Sequence, residues 1–368
     1  MDFEFSSDAL MLRDMLRRFL EKEIRPLERN FVSRGCLETK EHDRIRRAIE
    51  QMGIWGITVP EEWAGGGLDL ITTCLLEEEL GKTFIPIELG EVPPMLYTCV
   101  GAQIKQFLEP ALAGERKAWL ALREPGALLP EAWKTCAEHQ DGVYIINGSK
   151  ILAGSPNPDD FLILYANDSA GMTAFLLDMD QVGVSVSSEK EMILELKNCA
   201  IPATSVLGEV GQALNLGSLE APRFWVRIGA RYVGLAERMI EITTDYAKDW
   251  VNLGEPLQDR PSVQRMLAEM RVKVDSARWM VYHAAWIGDQ EKPLQLQAAE
   301  VRLLTGEMIQ YMVDCTSMIF GGPGPSLAIE LQRLIRSPIQ AEALEIALRS
   351  ARSLIARDVL MARIGSES

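Results

Sequence analysis

The chain of 368 residues carries 53 acidic and 38 basic side chains, which gives a formal net charge of −15. This charge argues against a nucleic-acid-binding protein, because such proteins neutralise phosphates with a basic surface. Apolar residues make up 47% and charged residues 25% of the sequence, as in ordinary folded globular proteins. Six cysteines without a CxxC pair and three histidines without metal-ligand spacing argue against a disulfide framework and a zinc site.

The N-terminal part of the chain has helical periodicity. Apolar side chains recur every three or four residues over 8–33, 45–52 and 68–81, and each run predicts a helix. The third run places Glu77–Glu79 in an acidic face. The first run starts acidic and is interrupted by Arg and Asp, so it predicts neither a secretory signal nor a membrane span. We therefore expect a cytoplasmic protein in which residues 1–119 form an all-helical domain.

The periodicity changes after residue 119. Short β-like runs separated by Asn-Gly, Asn-Asp and Gly turns predict strands near 144–146, 161–165, 173–177 and 182–186. A group of short strands of this total length is typical of a small β domain. We therefore expect a β-sandwich or barrel domain over residues 120–211.

Helical spacing returns at about residue 212 and continues into a long final helix with an apolar face over 344–355. Residues 212–368 are therefore predicted to form a C-terminal helical bundle. The order of helices, strands and helices excludes a simple Rossmann chain, in which strands and helices alternate throughout.

Several short motifs occur in one order along more than 300 residues. They are Gly56–Leu68, Leu122–Gly126, Ile146–Lys150 (an Asn-Gly-x-Lys hairpin), Gly234–Arg238, Leu267–Met270 and Ile319–Gly324. Together they resemble the motifs of the acyl-CoA dehydrogenases. The resemblance implies an α+β fold with an N-terminal helical domain, a middle β-sandwich or barrel domain and a C-terminal four-helix-bundle domain.

The same resemblance implies FAD-dependent α,β-dehydrogenation of an acyl-CoA thioester. The position of the family's catalytic base falls on Glu345, while the spacing of Glu345 and Arg349 is equally typical of a surface ion pair on a helix. The family follows its base with Gly-Thr, whereas Ile346 and Ala347 stand here. The cofactor-binding positions implied by the resemblance are Glu124, Pro125, Gly126, Gly321, Gly322 and Gly324.

Many side chains that hold the flavin in the family are replaced in this chain. The substituted positions are Arg123, Leu152, Gly154, Trp250, Pro261 and Met318. Trp250 stands where the family has an arginine that reaches the FAD pyrophosphate. Arg223, Arg227 and Arg231 offer replacement charge or form a solvated or subunit-facing stripe on their helix.

These substitutions leave three interpretations open. The first is an acyl-CoA dehydrogenase of lipid degradation with Glu345 as base, which passes electrons to an electron-transfer flavoprotein or another acceptor. The second is a non-catalytic partner subunit of a heteromeric acyl-CoA dehydrogenase. The third is a flavin-free offshoot that binds or hydrolyses CoA thioesters, although no GxSxG elbow occurs. The first two predict a homo- or hetero-oligomer, either a dimer or a tetramer.

Overall fold

The computed structural model describes residues 4–34, 37–127, 130–188, 192–216, 220–252, 254–321 and 351–361. The chain divides into two compact units, residues 1–89 with 221–368, hereafter the helical unit, and residues 90–220, hereafter the β unit. The domain boundaries at 119/120 and 211/212 stay predictions of the sequence. A search of the described segments finds no helix with the length and apolar character needed to cross a membrane.

Eight α-helices account for most of the helical structure. They are α1 Ser7–Phe19, α2 Glu28–Arg34, α3 Thr39–Gln51, α4 Leu70–Gly81, α5 Glu109–Leu112, α6 Glu220–Asp249, α7 Pro261–Gly288 and α8 Gln295–Phe320. The predicted first helix is interrupted between α1 and α2 by a π turn at Leu20–Ile24 and a 3-10 turn at Arg25–Leu27. Pro26 lies in the 3-10 turn, where its missing N–H prevents a regular α-helical hydrogen bond.

Helix α4 packs deep inside the helical unit instead of presenting an acidic face. Glu77, Glu78 and Glu79, which the sequence groups in an acidic face, are all buried. A glycine allows a neighbouring helix to come close, because a Cβ on Gly234 of α6 would lie 1.8 Å from the carbonyl oxygen of Glu78. The Gly234-Leu235-Ala236 motif is therefore a point of backbone contact between α4 and α6.

The β unit contains one eight-stranded mixed sheet. Its strands are β1 Ala118–Ala121, β2 Cys136–Gln140, β3 Val143–Leu152, β4 Phe161–Asp168, β5 Gly171–Asp178, β6 Val184–Ser188, β7 Met192–Pro202 and β8 Val206–Leu207. The order is β6-β7-β3-β2-β4-β5-β8, and β1 pairs with β4 in parallel. The predicted order of helices, strands and helices and the α+β class are confirmed.

The hairpin turn between β2 and β3 lies earlier in the sequence than the Ile146–Lys150 motif that predicted a turn. Asp141 and Gly142 connect β2 to β3 with φ of 49° and 81°, the positive values of a two-residue hairpin turn. The Ile146–Lys150 motif instead lies within β3, which has an irregularity in its pairing with β7 between Ile146 and Gly148. The prediction of a turn at Asn147-Gly148 is therefore wrong.

Candidate functional site

The site residues predicted from the sequence fall into three groups. Glu345, Gly322 and Gly324 lie outside the described residues. Glu124, Pro125 and Gly126 lie in the β unit, and Gly321 ends α8 in the helical unit.

Glu124 is the centre of a buried polar network. Its carboxylate accepts hydrogen bonds from the backbone N–H groups of Lys134 (2.6 Å) and Thr135 (2.8 Å) and from the Lys150 ammonium (3.0 Å). Lys150 is fully buried and also donates to the Leu122 carbonyl oxygen at 2.9 Å. The lysine of the Asn-Gly-x-Lys motif and the glutamate of the Arg-Glu-Pro motif are therefore direct partners.

Burial and hydrogen bonding act on the pKa values of both groups in this network. Burial opposes the ionisation of Glu124, but hydrogen bonds from Lys134, Thr135 and Lys150 hold the pKa of its carboxyl below the usual range. Burial lowers the pKa of Lys150, and the Glu124 carboxylate opposes that fall. The Glu124 side chain is thus committed to internal contacts.

The turn that follows is the exposed part of this motif. Ala127 donates its N–H to the Glu124 carbonyl oxygen at 3.1 Å, and Gly126 has φ of 72°. This is a turn of type II, in which proline suits the second position and glycine the third. Pro125 and Gly126 are both exposed. Their role in cofactor binding stays a prediction, with the buried Glu124 as the anchor of the turn.

A tryptophan that the sequence did not single out lies beside Gly154. A Cβ on Gly154 would lie 2.9 Å from Cη2 of Trp119, so the indole fills the space that a threonine side chain would need. Trp119 is held in place because its Nε1 donates to the Asp160 carboxylate at 2.9 Å. Leu152 is buried in the sheet core. The available sequence signal was a glycine at 154 together with a tryptophan on the short strand β1.

Three aromatic rings stack next to the end of α8. The Tyr246 ring lies 4.2 Å from Phe320 and 5.5 Å from Trp250, with interplanar angles of 27° and 15°. Tyr246 also donates its hydroxyl to the Phe320 carbonyl oxygen at 3.3 Å. Gly321 follows with φ of 59°. The stack thus joins the predicted cofactor position Gly321 to the substituted position Trp250, and the Trp250 side is open because that residue is 43% exposed.

Three arginines of α6 form hydrogen bonds to other groups of the helical unit. Arg227 and Arg231 each donate to the buried Glu77 carboxylate at 2.7 Å, and Arg223 donates to the Gly288 carbonyl oxygen at 3.1 Å. Burial opposes the ionisation of Glu77, but the two arginines hold the pKa of its carboxyl below the usual range. The interpretation of these arginines as a solvated stripe is therefore wrong, and Arg227 and Arg231 are already engaged with a protein carboxylate.

Two further substituted positions have plain structural roles. Pro261 is the first residue of α7, a position where the missing N–H of proline has no helical partner to lose. Met318 is strongly exposed on α8. Neither the Pro261 nor the Met318 side chain supplies a polar group for a cofactor contact.

Comparison with known proteins decides the family. The family models "Acyl-CoA dehydrogenase, N-terminal domain" and "Acyl-CoA dehydrogenase, C-terminal domain" match residues 6–115 and 217–358. The (R)-benzylsuccinyl-CoA dehydrogenase of Thauera aromatica is 30% identical in an alignment that covers 98% of this chain and 97% of that protein. The chain belongs to the acyl-CoA dehydrogenase family.

Other relatives agree with this family and its fold. The mitochondrial short-chain specific acyl-CoA dehydrogenase of Rattus norvegicus is 25% identical over 95% of this chain and 89% of its own length. The structure of butyryl-CoA dehydrogenase from Megasphaera elsdenii aligns with a TM-score of 0.82 and 23% identity, covering 98% of this chain and 100% of the other. The resemblance predicted from the motifs is thus confirmed, and the chain is an oxidoreductase of the acyl-CoA dehydrogenase type.

Acyl-CoA dehydrogenases are flavoproteins, and the described residues of this one fit the rings of a flavin dinucleotide better than its phosphates. Trp119 and Trp250 each provide an aromatic face, and the turn at Pro125-Gly126 provides exposed backbone. Trp250 brings no charge to the position of the pyrophosphate arginine. Ring stacking is therefore the contact for which the described side chains are suited.

Proposed function

We propose that this acyl-CoA dehydrogenase removes the α- and β-hydrogens of an acyl-CoA thioester, with FAD as its cofactor. The observation that carries the proposal is the similarity to (R)-benzylsuccinyl-CoA dehydrogenase along 98% of the chain. The buried Glu124–Lys150 pair supports it, because this pair fixes the turn at which the family motif meets its cofactor. FAD, when bound, would accept the β-hydrogen with its electron pair.

The chain's own residues divide the remaining tasks. The Glu345 carboxylate takes the α-proton, and the electron pair left at the α-carbon forms the new double bond as the β-hydrogen leaves. Exclusion of water by the substrate would raise the pKa of Glu345 and make it a stronger base. In the β unit we assign Pro125, Gly126 and the Trp119 ring to cofactor binding. In the helical unit we assign Gly321, Gly322, Gly324 and the Trp250 ring to the same task.

The test begins with the visible absorption spectrum of the protein expressed alone, followed by titration with FAD. We expect a flavin band close to one per chain and turnover of an acyl-CoA with an artificial electron acceptor. Glu345→Gln should lower kcat by about a hundredfold or more, since general bases contribute on that scale, with unchanged flavin content. Glu342→Gln, three residues earlier in the sequence, is the control. Equal activity of Glu345→Gln and wild type would place the base elsewhere.

A second candidate function rests on Trp250. Because an uncharged indole stands at the position of the pyrophosphate arginine, a partner chain could supply the missing charge in a heteromeric enzyme. A protein that stays colourless with FAD alone, and binds flavin only with a second chain, would favour this candidate over the first. Sedimentation analysis of the same samples would determine whether a dimer or tetramer forms.

A further inference from the structure

Arg302 on α8 has an unusual environment. Its guanidinium stacks on the indole of Trp225 from α6, with the Arg302 Cζ 3.7 Å from the ring centroid. Its Nε is buried and has no hydrogen-bond partner in the described part of the chain. By contrast, Arg227, Arg231 and Arg278 of the same unit each lie within 3.1 Å of a carboxylate oxygen. Arg302 is thus a partly buried cation without a counter-ion among the described residues.

Tyr232 provides a second polar group without a partner. Its side chain is 5% exposed, and its hydroxyl is buried with no hydrogen bond to any described residue. Burial raises the pKa of Tyr232 to about 12, and the nearby Arg302 charge opposes the rise. The hydroxyl is therefore protonated at neutral pH and available as a donor. A buried donor without an acceptor costs free energy, which a ligand could recover.

Gly229 explains why these groups lie together. A Cβ on Gly229 would lie 2.4 Å from Cγ1 of Val301, so α6 and α8 are in close contact there. Trp225 and Tyr232 lie one helical turn before and after Gly229, on the same side of α6. Arg302 follows Val301 directly on α8. The two donors and the indole thus share one stretch of the α6–α8 contact.

A solvent-exposed ring lies next to Trp225. Phe224 is 46% exposed and makes an edge-to-face contact with Trp225 at 5.4 Å. Burial lowers the pKa of Arg302 to about 10, which still leaves it charged at neutral pH. A guanidinium that stacks through its face keeps its N–H edge free for a planar, two-oxygen anion. One cation and one hydroxyl match the single charge of a carboxylate better than a doubly charged phosphate.

We propose that Arg302 and Tyr232 bind a free carboxylate on the acyl part of the substrate. The substrate class is then an acyl-CoA derived from a dicarboxylic acid, in which one carboxyl is the thioester and the other remains ionised. This inference rests on the proposed function for the thioester end. The Trp225 and Phe224 rings form an apolar wall beside the carboxylate.

Calorimetric titration without an electron acceptor tests the site, because it needs no turnover. The probes are pairs of CoA thioesters of equal chain length that end in a carboxylate or a methyl group: succinyl and butyryl, glutaryl and valeryl, adipyl and hexanoyl. We expect the carboxylate-ended thioester to bind at least tenfold more tightly in one or more pairs. Arg302→Gln should abolish this preference without weakening the methyl-ended partner, and Tyr232→Phe should reduce it severalfold.

Two further variants control the experiment. Arg265→Gln removes an exposed arginine of α7 and should keep the full preference. Arg302→Lys keeps the charge and loses the planar fork, so it should retain only part of the preference. If Arg302→Gln does not fold, Arg302→Lys takes its place in the titration.

The proposal would be overturned if wild type shows no preference in any pair. Equal weakening of both members by the Arg302 substitutions would also overturn it, since that result indicates a contact to CoA or an internal counter-ion. A preference without turnover would contradict the proposed function and leave this site standing. Turnover without a preference would support the proposed function and overturn this site.

Discussion

At the scale of single residues, buried ion pairs determine which polar side chains remain for ligands. Glu124 and Lys150 satisfy each other inside the β unit, and Glu77 satisfies two arginines inside the helical unit. The sequence motifs contain Glu124 and Lys150 but could not show that they pair, because the contact depends on how β3 packs. Arg302, Tyr232 and Trp119 escaped notice for the same reason, since their contacts join elements distant in sequence.

Lys150→Met should destabilise the protein by about 3–5 kcal/mol, because it leaves the Glu124 carboxylate buried without its counter-charge. The free energy of unfolding in urea measures the loss. Lys197→Met is the matched control, since Lys197 forms an exposed pair with Glu195 that should contribute less than about 1 kcal/mol. The double variant Lys150→Met with Glu124→Gln should recover much of the stability. An equal effect of the Lys150 and Lys197 substitutions would contradict the structural role of the buried pair.

Glu237 should make the stability of the helical unit depend on acid pH. Burial opposes its ionisation, but hydrogen bonds from Arg271 and Arg278 lower its pKa from 4.5 to about 2. Because the folded protein has the lower pKa, the stabilisation is complete above pH 4.5 and is lost as the pH falls toward 2. After allowance for screening by water, we expect a contribution on the order of 1 kcal/mol.

Urea unfolding between pH 2 and pH 6 checks the Glu237 prediction. Glu237→Gln should lower stability at pH 6 and flatten the decline below pH 4.5. Glu307→Gln, which removes an exposed carboxylate on α8, should leave the decline as it is. A decline of the same size in Glu237→Gln and wild type would assign the acid sensitivity to other groups.

At the scale of elements, the contact between α4 and α6 is the feature that periodicity could not reveal. The apolar spacing identified the helices, because a 3.6-residue repeat is a local property of the chain. It grouped Glu77–Glu79 in an acidic face but could not reveal that they are buried, because charged residues are usually exposed. Burial of all three became possible only through arginines on α1, α6 and α7, which the sequence separates widely from α4.

Gly234→Ala tests this helix contact. The added methyl group would lie 1.8 Å from the Glu78 carbonyl oxygen and force the two helices apart. Alanine favours helix over glycine by about 1 kcal/mol, yet we expect a net loss of about 1–3 kcal/mol from overpacking. Thermal unfolding measures the change, with Ser276→Ala on the exposed side of α7 as the control. A stabilised Gly234→Ala variant would show that the contact is loose.

At the scale of the whole molecule, the order of helical and strand regions was enough to predict the class of fold and the family. That order survives in a single sequence because it needs only local patterns and short motifs. The contacts of Trp250 were harder to predict, because the stack that it shares with Tyr246 also includes Phe320 from another helix.

Trp250→Ala should weaken FAD binding by about five- to fiftyfold, in keeping with the free energy of stacking an aromatic side chain on a base. Fluorescence titration with FAD gives the Kd directly and does not require turnover. Trp279→Ala removes another exposed indole, on α7, and should leave the Kd unchanged. Identical Kd values for Trp250→Ala and wild type would exclude the stack from the cofactor site.

Helix α4 carries a consequence for the exchange of segments between related enzymes. Its three consecutive glutamates bind Arg17 of α1, Arg231 of α6 and Arg278 of α7, so four helices share one set of opposite charges. A chimera that imports α4 alone from a relative without these carboxylates would remove the Glu77–Glu79 oxygens that Arg17, Arg227, Arg231 and Arg278 contact. The helix can therefore be inherited or transplanted only together with its partners, and recombination within this part of the gene is constrained accordingly.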